Sequence, residues 1–324
     1  MPAAIRVHQT GGPEVLSYED VATAAPGPGE ALIRQHACGV NYIDTYYRSG
    51  LYKAPSLPFT LGAEGAGEVI ALGEGVTEVK VGDRVAYSGA IGSYAVERAY
   101  PADRLIPLPD SISYEQAAGM MLKGMTAQYL VRRTFKVESG QTVLVHAAAG
   151  GVGLIMCQWI KSLGATVIGT VGSEEKAELA RANGADHTIL YRKEDWVKRV
   201  AEITDGKKCA VVYDGVGKDT FPGSLDCIRP LGMWVSFGNA SGPVEPFSIL
   251  TLAQKGSIFA TRPTLGTYVA ERKDLLATAN DLFEVVASGK VKIPVNQRYA
   301  LKDARKAHEE LEGRGTTGSS ILLP

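Results

Sequence analysis

The sequence lacks the features that mark several classes of protein. It has no apolar run of the roughly 18 residues that a membrane-spanning helix needs. Its first residues, Met1 to His8, predict a strand and not a signal peptide. Lys and Arg number 34 and Asp and Glu 35, so the net charge of −1 provides no basic field. We therefore expect a globular protein with no membrane segment and no dedicated nucleic-acid site.

Paired cysteines are also absent. The chain has four cysteines, none in a C-x-x-C pair: Cys38, Cys157, Cys209 and Cys227. This scatter argues against a structural zinc lobe and against a disulfide framework. A reduced, cytoplasmic protein is the simplest interpretation. The length of 324 residues, with 45% hydrophobic residues, predicts about two domains.

The first part of the chain, to about residue 110, is dense in Gly and Pro between short apolar runs. Residues 31–37, 67–72 and 83–87 are strand candidates, and Gly82 allows a sharp bend before the last of them. This pattern predicts a β-rich, barrel-like domain. From Tyr114 the pattern changes: residues 115–133 predict one long helix, with Ser113 as its N-cap.

Residues 141–164 combine a strand, a glycine turn and a helix. Residues 143–145 are apolar, with the β-branched residues Val143 and Val145, and Ala148 opens the motif A-x-G-x-x-G that Gly150 and Gly153 complete. Apolar residues then recur at helical spacing up to Gly164, a C-cap candidate. Such glycines let the backbone approach a pyrophosphate, whose charge the helix N-terminus favours. The stretch predicts a dinucleotide site.

Strands and helices alternate after this turn. The predicted strands are 166–171, 187–191, 209–214, 233–237 and an edge strand at 257–261; the predicted helices are 173–183, 195–204, 272–288 and 302–312; a last strand covers 319–323. Alternation of this kind predicts an α/β protein with a doubly wound parallel sheet.

The sequence favours NADPH as the dinucleotide. An acid that accepts from the ribose 2′-OH of NAD is expected about 20 residues past the turn. Glu174 and Glu175 lie there, but they better suit the first turn of a helix capped by Ser173. Lys176 can then meet a 2′-phosphate, and Tyr191 and Arg314 are further donors.

Four segments together resemble the medium-chain dehydrogenase/reductase superfamily: residues 41–46, 62–67, 81–85 and 147–153. Within it the whole chain is similar to the zinc-free quinone oxidoreductases of the zeta-crystallin type, as residues 48–52, 235–239 and 317–319 indicate. The resemblance implies a GroES-like catalytic domain at 1–123 and a Rossmann domain at 124–262. It also implies a C-terminal segment, 263–324, that returns to the first domain, and a homodimer joined through the cofactor sheets.

The resemblance also bears on metal and mechanism. Zinc alcohol dehydrogenases of this superfamily place a cysteine where this chain has Asn41 and a histidine where it has Ala63. Neither residue supplies a thiolate or imidazole, so no metal is expected. Hydride addition to an electrophilic conjugated acceptor needs no such Lewis acid.

The predicted site has a reacting end and a cofactor end. Asn41, Tyr46 and Tyr52 are the catalytic candidates; alternatively Asn41 is a turn residue and each tyrosine an ordinary surface aromatic. Lys123 is either a site residue or a solvated one. The predicted cofactor contacts, most of them implied by the resemblance, are Asn41, Tyr46, Tyr129, Gly150, Gly151, Val152, Gly153, Gly172, Ser173, Lys176, Tyr191, Phe237, Gly238, Asn239 and Arg314.

These observations predict an NADPH-dependent reductase of quinones or related conjugated carbonyls. One alternative is an enoyl-thioester or alkenal reductase, in which Tyr52 protonates the carbon beside the carbonyl. An alternative of another class is a crystallin-like structural or RNA-binding protein that binds NADPH; the net charge argues against a dedicated RNA module.

Overall fold

The computed structural model describes residues 1–324, which divide into two compact units. The first unit comprises residues 1–125, 269–287 and 293–324, and the second comprises 126–268 and 288–292. None of the helices has the length and apolar character needed to cross a bilayer.

The chain forms sixteen strands and eleven α-helices. The strands are β1 Ala3–Val7, β2 Leu16–Asp20, β3 Glu30–Val40, β4 Phe59–Thr60, β5 Glu64–Leu72, β6 Arg84–Ser88, β7 Glu97–Pro101, β8 Ile106–Pro107, β9 Thr142–Val145, β10 Thr166–Val171, β11 His187–Leu190, β12 Cys209–Asp214, β13 Ile228–Ser236, β14 Phe259–Thr261, β15 Val295–Ala300 and β16 Ser319–Leu323. The helices are α1 Tyr42–Ser49, α2 Tyr114–Ala118, α3 Met121–Tyr129, α4 Gly151–Ser162, α5 Glu174–Ala182, α6 Trp196–Ile203, α7 Gly223–Asp226, α8 Leu250–Gln254, α9 Leu265–Tyr268, α10 Arg272–Ala287 and α11 Ala304–Glu312.

The first unit contains two mostly antiparallel sheets. One has the strand order β2-β1-β4, and the other has the order β15-β16-β3-β5-β6-β8, with β7 also paired to β3. Strand β3 alternates buried and exposed residues over much of its length, as expected where one face of a sheet covers a core. The C-terminal strand β16 pairs with β3 next to the segment that leads into α1.

The second unit is a six-stranded sheet in the order β11-β10-β9-β12-β13-β14, and every pairing in it is parallel. This is the doubly wound order 3-2-1-4-5-6, in which the direction of winding reverses between β9 and β12. All six residues of β12 are buried, as both faces of such a sheet require. The α/β fold class predicted from the sequence, a Rossmann sheet with a β-rich domain, is confirmed.

The single helix predicted over residues 115–133 is wrong. The structure has α2, a break at Gly119 and Met120, then α3, and then a π-helical turn at Leu130–Thr134. The Ser319 hydroxyl donates to the Gly119 carbonyl at 2.6 Å, and Val295 packs against the same glycine. A tertiary hydrogen bond thus occupies a carbonyl that a continuous helix would use. The predicted cap is confirmed, because the Ser113 side chain accepts from the Gln116 N–H.

The turn between β9 and α4 has a strained residue that is not a glycine. Ala147 has φ of 53°, in the left-handed region. This conformation directs the Ala147 carbonyl to accept from the Gly150 N–H at 2.9 Å. A Cβ on Gly153 would lie 2.4 Å from that carbonyl oxygen, so only glycine fits there. Helix α4 therefore packs close to β9 for two reasons: Ala147 adopts a strained left-handed conformation, and Gly153 has no side chain to keep the helix away.

We expect Ala147→Gly to raise the free energy of unfolding by about 0.5–1 kcal/mol. Left-handed backbone costs an L-residue about 1–2 kcal/mol, and the added freedom of the unfolded chain offsets part of the relief. The side chain of Ala147 is exposed, so little packing is lost. Urea unfolding followed by circular dichroism measures the difference.

The matched control is Ala182→Gly, at an exposed alanine in the last turn of α5. There the same change should lower stability by about 0.5–1 kcal/mol, because helical alanine is unstrained. Equal effects of the two substitutions would contradict the assignment of strain to Ala147.

Candidate active site

The predicted cofactor residues of the second unit follow the carboxyl ends of its parallel strands. The glycine turn follows β9, Gly172 follows β10, Tyr191 follows β11, and Phe237 and Gly238 follow β13. Carboxyl ends of parallel strands lie at one edge of a sheet, and ligands of doubly wound folds bind at that edge. The sheet therefore brings most of the predicted cofactor contacts to one edge.

Helix α4 differs from its neighbours in how it begins. Its N-cap is Gly150, with no side-chain capping hydrogen bond and no acid in the first turn. By contrast, Ser173 caps α5 and Asp195 caps α6 with side-chain oxygens. The N-terminus of α4 keeps the positive end of its dipole without a protein anion beside it. The residues present fit a pyrophosphate group, since Gly150 and Gly151 expose backbone and add no side chain.

The start of α5 carries Ser173 and Lys176, two of the predicted cofactor contacts. The Ser173 hydroxyl accepts from the Lys176 N–H at 3.3 Å, which confirms Ser173 as the cap. Glu174 and Glu175 are exposed in the first turn, where acids suit the dipole. The Tyr191 hydroxyl lies 3.1 Å from where a Cβ on Gly172 would be. The structure thus places Tyr191 directly beside the strand end that precedes Ser173 and Lys176.

The strand end after β13 is tightly packed. A Cβ on Gly238 would lie 2.5 Å from the Gly215 carbonyl oxygen, and one on Gly215 would lie 3.0 Å from the Phe237 ring. Position 215 therefore accommodates no side chain without displacing Phe237. The Asn239 carbonyl accepts from the Gly242 N–H at 3.0 Å, which closes the following turn.

Tyr129 lies elsewhere in the second unit. It is buried, and its ring stacks on that of Tyr268 with centroids 4.4 Å apart. Burial raises the pKa of Tyr129 above its usual value, so the phenol stays neutral and can donate a hydrogen bond. Arg314 lies in the first unit, after α11, while Lys176 and Tyr191 lie in the second.

In the first unit the predicted reacting residues gather around α1. Asn41 is the residue before the helix and is 6% exposed, and Tyr46 in the helix is 8% exposed. Tyr52 follows the helix; its N–H donates to the Tyr46 carbonyl at 3.0 Å, and the two rings meet edge to face with centroids 5.2 Å apart. The burial of Tyr46 contradicts the alternative in which it is an ordinary surface aromatic.

The sequence analysis missed Glu64, which is completely buried. Its Oε1 accepts from Asn41 Nδ2 at 2.9 Å and from Lys123 Nζ at 3.0 Å, and its Oε2 accepts from the Leu122 N–H. Leu122 is the second residue of α3, so the carboxylate also lies at that helix N-terminus. Lys123 is 7% exposed, so it is a member of this cluster and not a solvated residue.

A glycine makes room for this carboxylate. Gly39 in β3 is the register partner of Glu64 in β5. A Cβ on Gly39 would lie 2.1 Å from Glu64 Oε1 and 2.2 Å from the Ala118 carbonyl oxygen. The signal in the sequence was an acid in a glycine-rich strand, but its partners lie 23 and 59 residues away, beyond any local pattern.

A second buried chain of hydrogen bonds reaches the start of α1. Asp44 accepts from the Asn41 N–H at 2.8 Å and from the Tyr94 hydroxyl at 2.9 Å. Arg48 Nη1 lies 2.9 Å from His308 Nδ1, and His308 Nε2 lies 3.2 Å from the Tyr94 hydroxyl. Because a guanidinium only donates, His308 carries its proton on Nε2 and donates to Tyr94. Each hydrogen bond in this series is therefore donated in the direction of Asp44.

The ionisable groups of this chain have displaced pKa values. Burial raises the pKa of Asp44 to about 7, although the hydrogen bonds from Asn41 and Tyr94 oppose the rise. Burial and the neighbouring charge of Arg48 lower the pKa of His308 to about 3. His308 thus stays neutral at physiological pH, and the chain holds the N-terminus of α1 in place.

The metal-ligand positions of the zinc relatives carry an amide and a methyl group in this chain. Asn41 is hydrogen-bonded to Glu64, and Ala63 is buried. No three His, Cys, Asp or Glu side chains are grouped so that they could hold a metal ion.

Comparisons with known proteins agree with this architecture. Residues 27–134 match the family "Alcohol dehydrogenase GroES-like domain", and residues 151–282 match "Zinc-binding dehydrogenase". The quinone oxidoreductase of Pseudomonas aeruginosa is 56% identical over 325 residues, covering 100% of both chains. The 2-haloacrylate reductase of a Burkholderia species is 45% identical over 331 residues, covering 100% of this chain and 99% of its own.

A solved structure shows the same fold throughout. The quinone oxidoreductase of Escherichia coli complexed with NADPH has a TM-score of 0.98 and 50% sequence identity, covering 99% of this chain and 100% of its own. The match covers nearly the whole chain and therefore includes both units. The chain therefore belongs to the quinone oxidoreductases of the medium-chain dehydrogenase/reductase superfamily.

Proposed function

We propose that this protein is an NADPH-dependent oxidoreductase that reduces quinones or related conjugated carbonyls. The observation that carries the proposal is the uncapped N-terminus of α4, placed where the winding of a parallel sheet reverses. The E. coli relative of the same fold binds NADPH, and the relatives from P. aeruginosa and E. coli are quinone oxidoreductases.

The second unit supplies cofactor binding in this proposal. NADPH, when bound, supplies the hydride. The backbone N–H groups at the start of α4 hold the pyrophosphate, where Gly150 and Gly151 add no side chain, and Gly172 lies beside Tyr191 near the adenosine ribose. Lys176 and Tyr191 bind the 2′-phosphate, and Phe237, Gly238 and Asn239 contact the nicotinamide side; Arg314 is proposed as a further donor to the cofactor. We propose Tyr129 and Val152 as further contacts with the cofactor.

The first unit supplies the acceptor site. Tyr46 and Tyr52 form an aromatic wall suited to a planar conjugated ring. Asn41, held by Glu64 and by the Asp44 chain, presents a fixed amide at the base of that wall. We propose residues 1–123 with 263–324 as the catalytic domain and 124–262 as the cofactor domain, in a cytoplasmic protein.

The 2-haloacrylate reductase relative favours a second candidate, reduction of a conjugated carbon–carbon double bond. In that case the acceptor is an alkenal, an enoyl thioester or a related compound, and Tyr52 protonates the carbon beside the carbonyl. The same cofactor geometry serves both candidates, so substrate turnover separates them.

A screen of NADPH oxidation over quinones, alkenals and enoyl-CoA esters tests the proposal. We expect quinones to give the highest kcat/KM, and dialysis against a chelator to leave that value unchanged, because Asn41 and Ala63 offer no thiolate or imidazole to a metal. Higher kcat/KM with enoyl-CoA esters would favour the second candidate. Lost activity restored by zinc would contradict a metal-free site.

Lys176→Ala should raise the KM for NADPH about tenfold and leave the KM for NADH unchanged. One charge-assisted hydrogen bond to a phosphate contributes about 1.5–3 kcal/mol, and only NADPH carries the 2′-phosphate. Lys198→Ala is a close control, because Lys198 is the third residue of the capped helix α6, just as Lys176 is of α5. A parallel loss with both cofactors, or an equal effect of Lys198→Ala, would refute the phosphate role.

We also propose that the protein is a homodimer joined through β14. This strand is the edge of the six-stranded sheet, and large exposed apolar side chains lie on or beside β13, α8 and β14: Leu231, Phe247, Ile249, Leu250 and Phe259. The outer edge of β14 has no partner strand, and exposed apolar side chains lie beside it, so it is suited to pairing with a second copy of the protein.

Phe259→Lys should shift the protein from dimer to monomer in light scattering coupled to size-exclusion chromatography. Phe259 is 57% exposed in the edge strand β14, and a lysine buried there in a dimer would oppose pairing between the two copies. Tyr18→Lys, at a 53% exposed aromatic in the edge strand β2 of the first unit, should leave the mass unchanged. A monomeric native protein would overturn the proposal.

A further inference from the structure

Three donors from two elements meet on the carboxylate of Glu64. Asn41 Nδ2 and Lys123 Nζ share Oε1, at 2.9 and 3.0 Å, and the Leu122 N–H binds Oε2. Because both side chains reach the same oxygen, their nitrogen atoms are at most 5.9 Å apart (2.9 plus 3.0). Glu64 therefore fixes an ammonium and an amide side by side.

These two side chains have more donors than the protein uses. An ammonium has three N–H donors, and the Glu64 carboxylate is the one acceptor that Lys123 Nζ has within the protein. The second Nδ2 hydrogen of Asn41 is likewise available beside the bond to Glu64. Lys123 is 7% and Asn41 6% exposed, so these donors are not simply solvated surface groups. Two neighbouring buried donors with hydrogens beyond those bound to Glu64 are suited to an oxygen that gains negative charge.

We propose that Lys123 binds the carbonyl oxygen of the acceptor together with Asn41 and protonates that oxygen during reduction. The inference rests on the proposed quinone or conjugated-carbonyl reductase function and assigns its proton donor. It makes the Lys123 ammonium, and not Tyr46 or Tyr52, the acid of the reaction.

The step balances with NADPH as the only reductant. The hydride forms a new C–H bond on the conjugated acceptor, and the π electrons shift onto the carbonyl oxygen. That oxygen takes a proton from Lys123 Nζ: one N–H bond breaks and one O–H bond forms. For a quinone, tautomerisation then gives the hydroquinone, and the neutral amine regains a proton from water. Glu64 takes no part in the transfer: one hydrogen bond holds the Lys123 ammonium, and the other two hold Asn41 and the Leu122 N–H.

The test compares the native protein with Lys123→Met, the double variant Lys123→Met/Glu64→Gln, and Lys80→Met. Removing Lys123 alone leaves a buried carboxylate without its counter-ion, which threatens folding. The double variant removes both charges and keeps similar shapes, so it isolates the missing donor. Lys80 is an exposed lysine of the first unit and serves as the control. Quinone turnover, NADPH binding by fluorescence titration, and the solvent deuterium isotope effect on kcat are measured for each.

We expect both Lys123 variants to lose about 100-fold in kcat with quinone while binding NADPH with unchanged Kd. The solvent isotope effect on kcat should be larger in the double variant than in the native protein, because the proton must then come from water in a step that limits turnover. The loss should also grow with the basicity of the acceptor oxygen, a trend that a merely structural role would not produce.

The outcomes separate the inference from the function on which it rests. If the native protein fails to oxidise NADPH with any quinone or conjugated carbonyl, the proposed function and the inference both fall. If the native protein is active and the folded double variant keeps its kcat within about threefold, the role of Lys123 alone is overturned. A weakened Kd for NADPH that accounts for the whole loss would also overturn it, by making Lys123 a cofactor contact.

Discussion

The hydrogen-bonded carboxylate of Glu64 is the constraint on which the first unit's chemistry depends. It binds the amide of Asn41 before α1 and the first turn of α3 at Leu122 and Lys123. Asn41 follows β3, whereas α3 follows α2, so the two segments are far apart in the sequence. The Glu64 carboxylate holds them together by direct hydrogen bonds. Strand register places Glu64 opposite Gly39, and the absence of a side chain there gives the carboxylate its space. A contact between strands thus determines the arrangement of the proposed acceptor site.

In the second unit, by contrast, backbone conformation and missing side chains determine the geometry of the proposed cofactor site. Gly153 lets α4 approach the strand closely, Ala147 bears the left-handed conformation, and Gly172 leaves space beside the Tyr191 hydroxyl. In the proposed function, the dipole of α4 and Lys176 on α5 supply the positive charge for the cofactor phosphates. This division is consistent with the chemistry: a dinucleotide needs close backbone approach, while a polarised acceptor needs placed donors.

Local patterns predicted the parts of the fold that local interactions determine. The strand, glycine turn and helix at residues 142–162 and the caps at Ser113 and Ser173 are confirmed, because periodicity and capping act within a few residues. The long helix at 115–133 was wrong, because a hydroxyl from β16 binds the carbonyl of Gly119. The roles of Tyr46 and Tyr52 stay predictions, and the comparison of Lys176→Ala with Lys198→Ala tests the role of Lys176.

The buried polar groups were the hardest part to foresee, and they are also the least explained by stability. A buried ion pair contributes little net stabilisation, because desolvation of both charges opposes their attraction. Replacing a buried ion pair with apolar residues of similar volume is often neutral or stabilising, so stability alone does not explain the pair at positions 64 and 123. The hydrogen bonds around Asp44 are similar in this respect. Burial raises the pKa of Asp44 to about 7, so ionisation of Asp44 near neutral pH adds little to the stability of the fold. Stability therefore does not account for Glu64 and Asp44. Both bind Asn41, Glu64 through the side-chain amide and Asp44 through the backbone N–H. Their arrangement fits the proposal that they position the Asn41 amide and the Lys123 ammonium for an acceptor.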